Sequence, residues 1–231
     1  MRYFTKGELT LWLGSVLVII LSNIFMNGFS PISLAASLIG VTALIFTAKA
    51  NPIGQGLMIV FCLIYTYISY TFSYYGEMLT YAGMSLPMAI FSFVSWLKNP
   101  FEGNAAEVSV NEKITKGEYV FMLILTVAVT LIFYFILEFF NTANIIPSTI
   151  SVTTSFAAVY LTFRRSPLYA LAYAANDIVL IILWAMAAFK DISYISVIIC
   201  FVVFLANDAY GFVNWSRMKK RQIQNPKAVI G

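Results

Sequence analysis

The stretch YVFMLILTVAVTLIFYFILEFF, Tyr119–Phe140, is an apolar run interrupted by a single charged side chain, Glu138. An α-helix rises about 1.5 Å per residue, so about 20 apolar residues are needed to cross the hydrocarbon core of a bilayer. The run therefore predicts a transmembrane helix, and the rest of the chain repeats its pattern.

Seven further apolar runs have the length of a membrane-spanning helix. Hydrophobic residues make up 61% of the sequence and charged residues 10%, whereas a soluble domain is about half apolar and about one quarter charged. So few charges cannot cover a water-facing surface, and we expect an all-α integral membrane protein of about eight transmembrane helices. The other seven predicted spans are Leu9–Phe29, Pro31–Ala48, Ile53–Phe72, Met78–Leu97, Ile145–Phe163, Leu168–Phe189 and Ile192–Trp215.

Short sequence matches divide the eight predicted spans into two units of four. The matched pairs are TKGE at Thr5–Glu8 and Thr115–Glu118, KANP at Lys49–Pro52 with RRSP at Arg164–Pro167, and FSFVSW at Phe91–Trp96 with YGFVNW at Tyr210–Trp215. One match alone would be chance, but three in the same order indicate a duplication. Because each unit has an even number of spans, the copies are expected to be parallel, as in several transporter folds.

The distribution of positive charge predicts the orientation. If all eight segments span, every lysine and arginine except Lys190 falls on the face that holds both termini. Cytoplasmic loops carry an excess of lysine and arginine, so we expect both termini in the cytoplasm.

Missing residue types and motifs exclude several function classes. The sequence has no histidine, which is the usual zinc ligand and neutral-pH proton carrier. Its two cysteines, Cys62 and Cys200, lie inside apolar runs, which favours small core residues over a disulfide. No glycine-rich phosphate loop or nucleotide fingerprint is present. We therefore expect no cofactor, no metal site, no nucleotide-driven motor and no nucleic-acid partner.

Two Asn-Asp pairs stand out inside the last two predicted spans. Asn176-Asp177 is followed by Trp184, and Asn207-Asp208 is followed by a tryptophan at the same spacing. At 1.5 Å per residue, Asp177 lies about 15 Å and Asp208 about 12 Å from the same membrane edge. Charges inside a membrane are costly and usually functional. The pairs therefore predict a polar substrate chamber, although they could instead tie helices together by interhelical hydrogen bonds.

Other candidate residues share a helix face with these pairs or occupy the matching place in the first repeat. Aromatic rings beside a carboxylate suit a flat cationic ring, through stacking and cation–π attraction. Glu138 is expected to snorkel to the membrane surface rather than to line an entrance. The further predicted substrate-binding residues are Tyr173, Tyr210, Asn214, Tyr65, Tyr67 and Gln55.

The stretch NDAYGFVNW, Asn207–Trp215, followed by the basic Lys220-Arg221-Gln222, resembles the bacterial nicotinamide riboside transporter family, PnuC. The RRSPLY stretch at Arg164–Tyr169 and the Asn176-Asp177 helix are similar to the same family. The resemblance implies two three-helix bundles joined by a linker helix, like SWEET sugar transporters. It also implies a trimeric, multi-pass uniporter of the bacterial inner membrane that carries nicotinamide riboside, which a cytoplasmic kinase then phosphorylates.

On that mapping, the N-terminal segment is an extra helix outside the two bundles, packed among membrane lipid. The implied units are an N-terminal helix at 1–30, a first bundle at 31–97, a cytoplasmic connector at 98–118, a linker helix at 119–140, a second bundle at 141–216 and a basic cytoplasmic tail at 217–231.

Three other functions stay open from the sequence. Close relatives of the family carry thiamine or riboflavin, and thiamine is also a flat cation. An intramembrane enzyme could use Asp177 and Asp208 as an acid–base pair, although the sequence lacks the histidines and acidic spacings of a metal site. A binding subunit that needs a motor partner is a further alternative.

Reporter fusions test the predicted orientation. Fusions at Gly76 and at Asn104 are expected to report opposite sides of the membrane, and a fusion at Arg2 should agree with Asn104, since the positive charges lie on one face. An extracellular reporter at Arg2 would remove the first helix from the spanning set.

Overall fold

The computed structural model of the protein describes residues 3–26, 31–71, 75–189 and 192–224. In this part of the chain, eight helical segments are long and apolar enough to cross a membrane, which confirms the predicted all-α membrane fold. The predicted span ends Phe29 and Phe72, and Lys190, lie outside the described residues. The helices are α1 (Lys6–Met26), α2 (Pro31–Ala48), α3 (Pro52–Thr71), α4 (Tyr75–Leu79), α5 (Leu86–Leu97), α6 (Lys116–Phe139), α7 (Ile145–Phe163), α8 (Leu168–Ala188) and α9 (Ile195–Gln224).

The eight spans, of which the fourth contains both α4 and α5, pack as two groups of three with two additional helices. Helices α2, α3 and α5 form the first bundle, and α7, α8 and α9 form the second. The bundles meet through two seams, one where α2 contacts α9 and one where α5 contacts α7. Helix α1 packs on α2 and α9, and α6 packs on α7. Each added helix thus lies against the first helix of the bundle that follows it, as a duplication requires.

The two copies begin with the same capping motif. Glu8 N donates to Thr5 Oγ1 at 3.2 Å, and Thr5 N donates back to Glu8 Oε2 at 2.7 Å. At the start of α6, Glu118 N donates to Thr115 Oγ1, also at 3.2 Å. Such a threonine and glutamate satisfy amide groups that the first helical turn leaves without partners, so both helices start where the TKGE matches predict.

The same glutamates form duplicated ion pairs. Lys49 Nζ lies 2.8 Å from Glu8 Oε1, and the Arg164 guanidinium pairs with Glu118 through two hydrogen bonds. Lys49 and Arg164 occupy equivalent places in the KANP and RRSP matches. Each pair therefore connects α1 or α6 to the last residues of the first helix in its bundle. Both pairs lie on one side of the molecule, called here the basic face (residues 49–51, 98–115 and 164–167).

Two tryptophans interlock the bundles next to the basic face. Trp96 Nε1 donates to the Thr162 carbonyl at 2.9 Å, and Trp215 Nε1 donates to the Thr47 carbonyl at 2.8 Å. Both indoles are fully buried, and their ring centroids are 5.4 Å apart. Each bundle's last helix is thereby bound to the other bundle's first helix.

The connector predicted at 98–118 is folded. It contains a short antiparallel hairpin of β1 (Pro100–Phe101) and β2 (Asn104–Val108). Val108 is fully buried, and its N–H donates to the Ala50 carbonyl at 2.9 Å. Asn111 N donates to the Arg165 carbonyl at 3.0 Å, so the connector bonds to the helical link of each copy.

The expected basic tail is also largely part of the fold. Helix α9 continues past its predicted end at Trp215 to Gln224. Gln222 is buried, and its side-chain Oε1 accepts from Val110 N at 2.8 Å, while its Nε2 donates to the Val108 carbonyl at 3.2 Å. A buried connector backbone needs hydrogen-bond partners, and the helical extension supplies them.

The fourth span contains a wide turn that the sequence analysis missed. Between α4 and α5 the backbone forms a π-helix at Thr80–Ser85. Pro87 follows at the start of α5 and has no N–H, so the α-helical hydrogen-bond ladder is interrupted there. Single π turns are frequent at functional sites because they change the direction of side chains locally.

Substitution of the interlocking tryptophans tests their structural role. Trp96→Phe and Trp215→Phe each remove one N–H and with it one buried hydrogen bond between the bundles, at a cost of about 0.5–1.5 kcal/mol. We expect both variants to lower the thermal unfolding midpoint in detergent by similar amounts. Trp184→Phe, which retains the ring contact with Tyr194, is the control and should unfold like the wild type. Unchanged midpoints for both interlock variants would contradict the interlock.

Candidate functional site

A cavity of about 230 Å³ lies between the two bundles. Residues of α2, α3, α5, α7, α8 and α9 line it, so neither bundle forms it alone. Its polar side chains are small hydroxyls and amides together with two carboxyls. They are Asn23, Ser33, Ser37, Thr47, Gln55, Ser85, Ser92, Ser155, Thr162, Asn176, Asp177, Ser196 and Asp208.

Aromatic rings make up much of the remaining wall. Tyr65 stacks obliquely on Tyr81 with centroids 4.9 Å apart, and on Phe61 with centroids 4.7 Å apart. Phe61, Tyr65 and Tyr81 thus form one aromatic surface on the first bundle. The aromatic residues that line the cavity are Phe61, Tyr65, Tyr81, Tyr169, Tyr173, Phe201 and Phe204.

Asn176 is held in a fixed orientation by α7. Its Oδ1 accepts hydrogen bonds from Thr154 Oγ1 at 2.8 Å and from Ser155 Oγ at 3.0 Å. The side chain is buried, with 6% of its surface exposed. Because its oxygen is occupied by two donors, the amide nitrogen is the group that remains for a ligand.

Asp177 and Asp208 meet across the contact of α8 and α9. Both are buried, with 3% and 4% of their surfaces exposed, and their carboxyl groups lie within hydrogen-bonding reach of each other. Asp177 Oδ2 accepts no hydrogen bond from any described residue. No lysine or arginine of residues 3–26, 31–71, 75–189 and 192–224 lines the cavity. The two acids therefore have no lysine or arginine partner among the described residues of the lining.

Six of the eleven predicted site residues line the cavity. Gln55 is among them and donates to Thr47 Oγ1 at 3.2 Å near the basic face. The two Asn-Asp pairs contribute three members, and tyrosines contribute two. The six are Gln55, Tyr65, Tyr173, Asn176, Asp177 and Asp208.

Two of the other five connect α9 to α1 instead. Asn207 donates to Ser15 Oγ at 3.0 Å, and Tyr210 donates to Glu8 Oε1 at 2.7 Å. Successive residues of a helix point about 100° apart, and on α9 the packing of α1 takes Asn207 out of the cavity that Asp208 lines. Since Asp208 faces the cavity, Asn207 faces the neighbouring helix.

The last three predicted residues lie farther from the cavity. Asn214 donates to the Ala48 carbonyl at 2.8 Å beside the interlock, and Tyr67 has 57% of its surface exposed. Trp184 packs on Tyr194, with ring centroids 5.2 Å apart. Eight residues of helix turn through about 800°, which places Trp184 about 80° from the direction of Asn176.

Sequence reasoning missed Tyr81 and Tyr169, which also line the cavity. Tyr81 lies in the π-helix, whose position no sequence pattern indicated. For Tyr169 a signal existed, because Gly211 replaces Ser92 in the duplicated FSFVSW motif. A Cβ at Gly211 would lie 3.1 Å from Tyr169 Oη, so this glycine makes room for the ring.

The sequence profile described as "Nicotinamide mononucleotide transporter" matches residues 30–217 of this chain. The chain belongs to this transporter family. It is 29% identical over 200 residues to the nicotinamide riboside transporter PnuC of Neisseria mucosa, covering 84% of this chain and 76% of that protein. It is 20% identical over 192 residues to the protein of the same name from Haemophilus influenzae, covering 83% and 82%.

A solved structure supports the fold independently. The structure described as the crystal structure of the vitamin B3 transporter PnuC matches with a TM-score of 0.77, covering 94% of each chain. At 24% identity this likeness shows the fold. Together with the eight apolar helices, it identifies the chain as a multi-pass membrane protein of PnuC architecture.

Proposed function

We propose that this protein is a facilitated-diffusion uniporter for nicotinamide riboside, which it binds in the cavity between the bundles. The observation that carries the proposal is the composition of that cavity: an oriented amide, two buried carboxyls and a tyrosine wall in one enclosure. Nicotinamide riboside has a flat cationic ring and a ribose with hydroxyls. Aromatic faces and negative charge suit the ring, and amides and hydroxyls suit the ribose.

The charge of the cavity favours the riboside over the mononucleotide. The family description names the mononucleotide, whereas both relatives are named for the riboside. A phosphate brings negative charge and would approach Asp177 and Asp208 without a lysine or arginine from the described residues to compensate. Like charges that face each other in a binding site cost several kcal/mol. A phosphorylated ligand is therefore disfavoured here.

We assign the ribose to Asn176 and the ring to the tyrosine wall. The amide nitrogen of Asn176 is free to donate because its oxygen is held by Thr154 and Ser155. Tyr65 and Tyr81 offer a paired aromatic face on the opposite side. Trp184, the ring partner predicted from sequence, lies against Tyr194 and takes no part in this assignment.

Movement of the solute to the basic face requires the interlock to open. Trp96, Trp215 and Tyr169 close the bundles beneath the cavity, and Trp215 is 5.0 Å from Tyr169 between ring centroids. Rocking of one bundle against the other would separate the indole N–H groups from their carbonyls in the opposite bundle. No chemical step is needed for this cycle, so we propose transport without enzymatic activity.

The setting of the protein follows from the same proposal. We infer a homotrimer in the bacterial inner membrane, with lipid around it and a cytoplasmic riboside kinase that removes the product by phosphorylation. Thiamine or riboflavin is the alternative solute. An enzyme that uses Asp177 and Asp208 is the less favoured alternative, since the described residues contain no group of three metal-ligating side chains.

Uptake into vesicles tests the function. Labelled nicotinamide riboside is expected to equilibrate across vesicles that contain the purified protein, with proton and sodium gradients collapsed. A tenfold excess of nicotinamide mononucleotide, thiamine or riboflavin should compete weakly. Stronger competition by thiamine would reassign the solute, and accumulation of unmodified riboside above the outside concentration would contradict uniport.

Calorimetry on an Asn176 variant tests the site. Asn176→Ala removes a ribose donor and leaves polar ligand groups unpaired, so affinity for nicotinamide riboside should fall about tenfold or more, since 1.4 kcal/mol is a factor of ten. Trp184→Ala is the control, because its ring lies outside the cavity lining, and it should bind like the wild type. Wild-type affinity in a folded Asn176→Ala variant, or a tenfold loss in Trp184→Ala, would place the site on another face.

A further inference from the structure

We propose that Asp177 and Asp208 act together as one proton-exchangeable anion, which selects a positively charged nucleoside ring over a neutral ring of the same shape. The inference rests on the proposed function, because it concerns the ligand of the same cavity. It adds that the cavity selects ligands by the charge of their ring, and that the affinity for a cationic ligand depends on pH.

The geometry of the pair is the first support. The two carboxyls come from adjacent helices, are almost completely buried and lie within hydrogen-bonding reach of each other. Two ionised carboxylates in such contact repel each other, so one proton is held between them. Asp177 lines the cavity, and its Oδ2 has no hydrogen-bond partner among the described residues.

The surroundings of the pair are the second support. Besides the pair, titratable side chains line the cavity from α3, α8, α9 and the π-helix, and all of these stay uncharged near neutral pH. The acid Glu77 of α4 interacts with Tyr65 and Tyr81 but lies outside this lining. Helices α2, α5 and α7 contribute only apolar side chains and the hydroxyls of serine and threonine to this lining. The titratable neighbours are Cys62, Tyr65, Tyr81, Tyr169, Tyr173 and Cys200.

With no lysine or arginine from the described residues in the lining, the negative charge of the pair can be neutralised in two ways. A second proton can bind, or a cationic ligand can enter. When the cation enters a doubly protonated pair, one proton leaves for the solvent and the remaining proton stays between the carboxyls. The charge of the occupied cavity is then zero, as it was before binding. The empty protein also changes sides with the pair singly protonated, so this exchange does not couple transport to a proton gradient and uniport is retained.

The wild-type protein is sufficient for the first test. Calorimetry from pH 6 to 8.5 would compare nicotinamide riboside with benzamide riboside, a neutral nucleoside in which carbon replaces the ring nitrogen. Affinity for nicotinamide riboside is expected to rise with pH, by up to tenfold per pH unit, whereas affinity for benzamide riboside should not change. A flat profile for nicotinamide riboside, or equal affinity for both nucleosides, would overturn the inference while the proposed function stands. Absence of binding by either nucleoside to folded protein would overturn both.

Amide variants give the second test, because asparagine has the shape of a protonated aspartate. The double variant Asp177→Asn with Asp208→Asn should lose at least tenfold in affinity for nicotinamide riboside at pH 8 and bind benzamide riboside within threefold of the wild type. Retained benzamide riboside binding shows that the variant is folded. The single variant Asp208→Asn, which keeps one carboxylate, should bind the cation with a flatter pH profile.

Glu138→Gln is the matched control, since it removes a membrane acid that is exposed and outside the cavity lining. It should retain the wild-type pH profile for both nucleosides. If the double variant binds nicotinamide riboside like the wild type, or if Glu138→Gln abolishes the pH dependence, Asp177 and Asp208 are not the selecting anion.

Discussion

The structure depends on two indole N–H groups that each reach across to the other bundle. The Thr47 and Thr162 carbonyls, near the ends of α2 and α7, each accept one backbone N–H, from Ala50 and Arg165, and an indole N–H occupies the second lone pair of each. The Trp215 indole donates to the Thr47 carbonyl, and the Trp96 indole donates to the Thr162 carbonyl. Because each donor belongs to the opposite bundle, satisfaction of the backbone and association of the two bundles are the same interaction. The cavity above it exists because the bundles are held at this end.

The scaffold follows the duplication, and the site arises where the copies differ. Threonine caps, glutamate ion pairs and indole hydrogen bonds occur twice at equivalent places. At one equivalent pair, however, the first copy has Gly54 and the second has Tyr169, a ring that lines the cavity and lies against Gly211. The acids show the same asymmetry, since Asp177 and Asp208 both belong to the second copy. A cavity whose two halves differ in this way can bind a solute whose two ends differ.

The sequence predicted the spans well because lipid imposes a length and a composition on each of them. It predicted the site less completely, because a pattern on one helix does not show which neighbour covers which face. The Asn207-Asp208 pair shows the difficulty: the helical step separates the two directions, and only the packing of α1 decides that Asn207 bonds Ser15 while Asp208 lines the cavity. The π-helix at Thr80–Ser85 was beyond prediction, since Pro87 signals an interruption of the ladder without showing its form.

The position of α1 explains how so many polar groups of α9 are compatible with a membrane. Asn207 and Tyr210 lie on a side of α9 that would otherwise face lipid near the α2–α9 seam, and α1 covers that side with Ser15 and Glu8. The other added helix, α6, packs on α7 mainly through apolar side chains, with the hydroxyl pair Thr130–Thr153 at 2.9 Å within the membrane segment and the Glu118–Arg164 ion pair at the basic face. Interhelical hydrogen bonds of this kind contribute only about 0.6 kcal/mol each on average. The larger effect of the α1 contacts is that they keep lipid away from polar groups of α9 that would be costly to expose. Asp208, on the opposite side of α9, can then line the cavity.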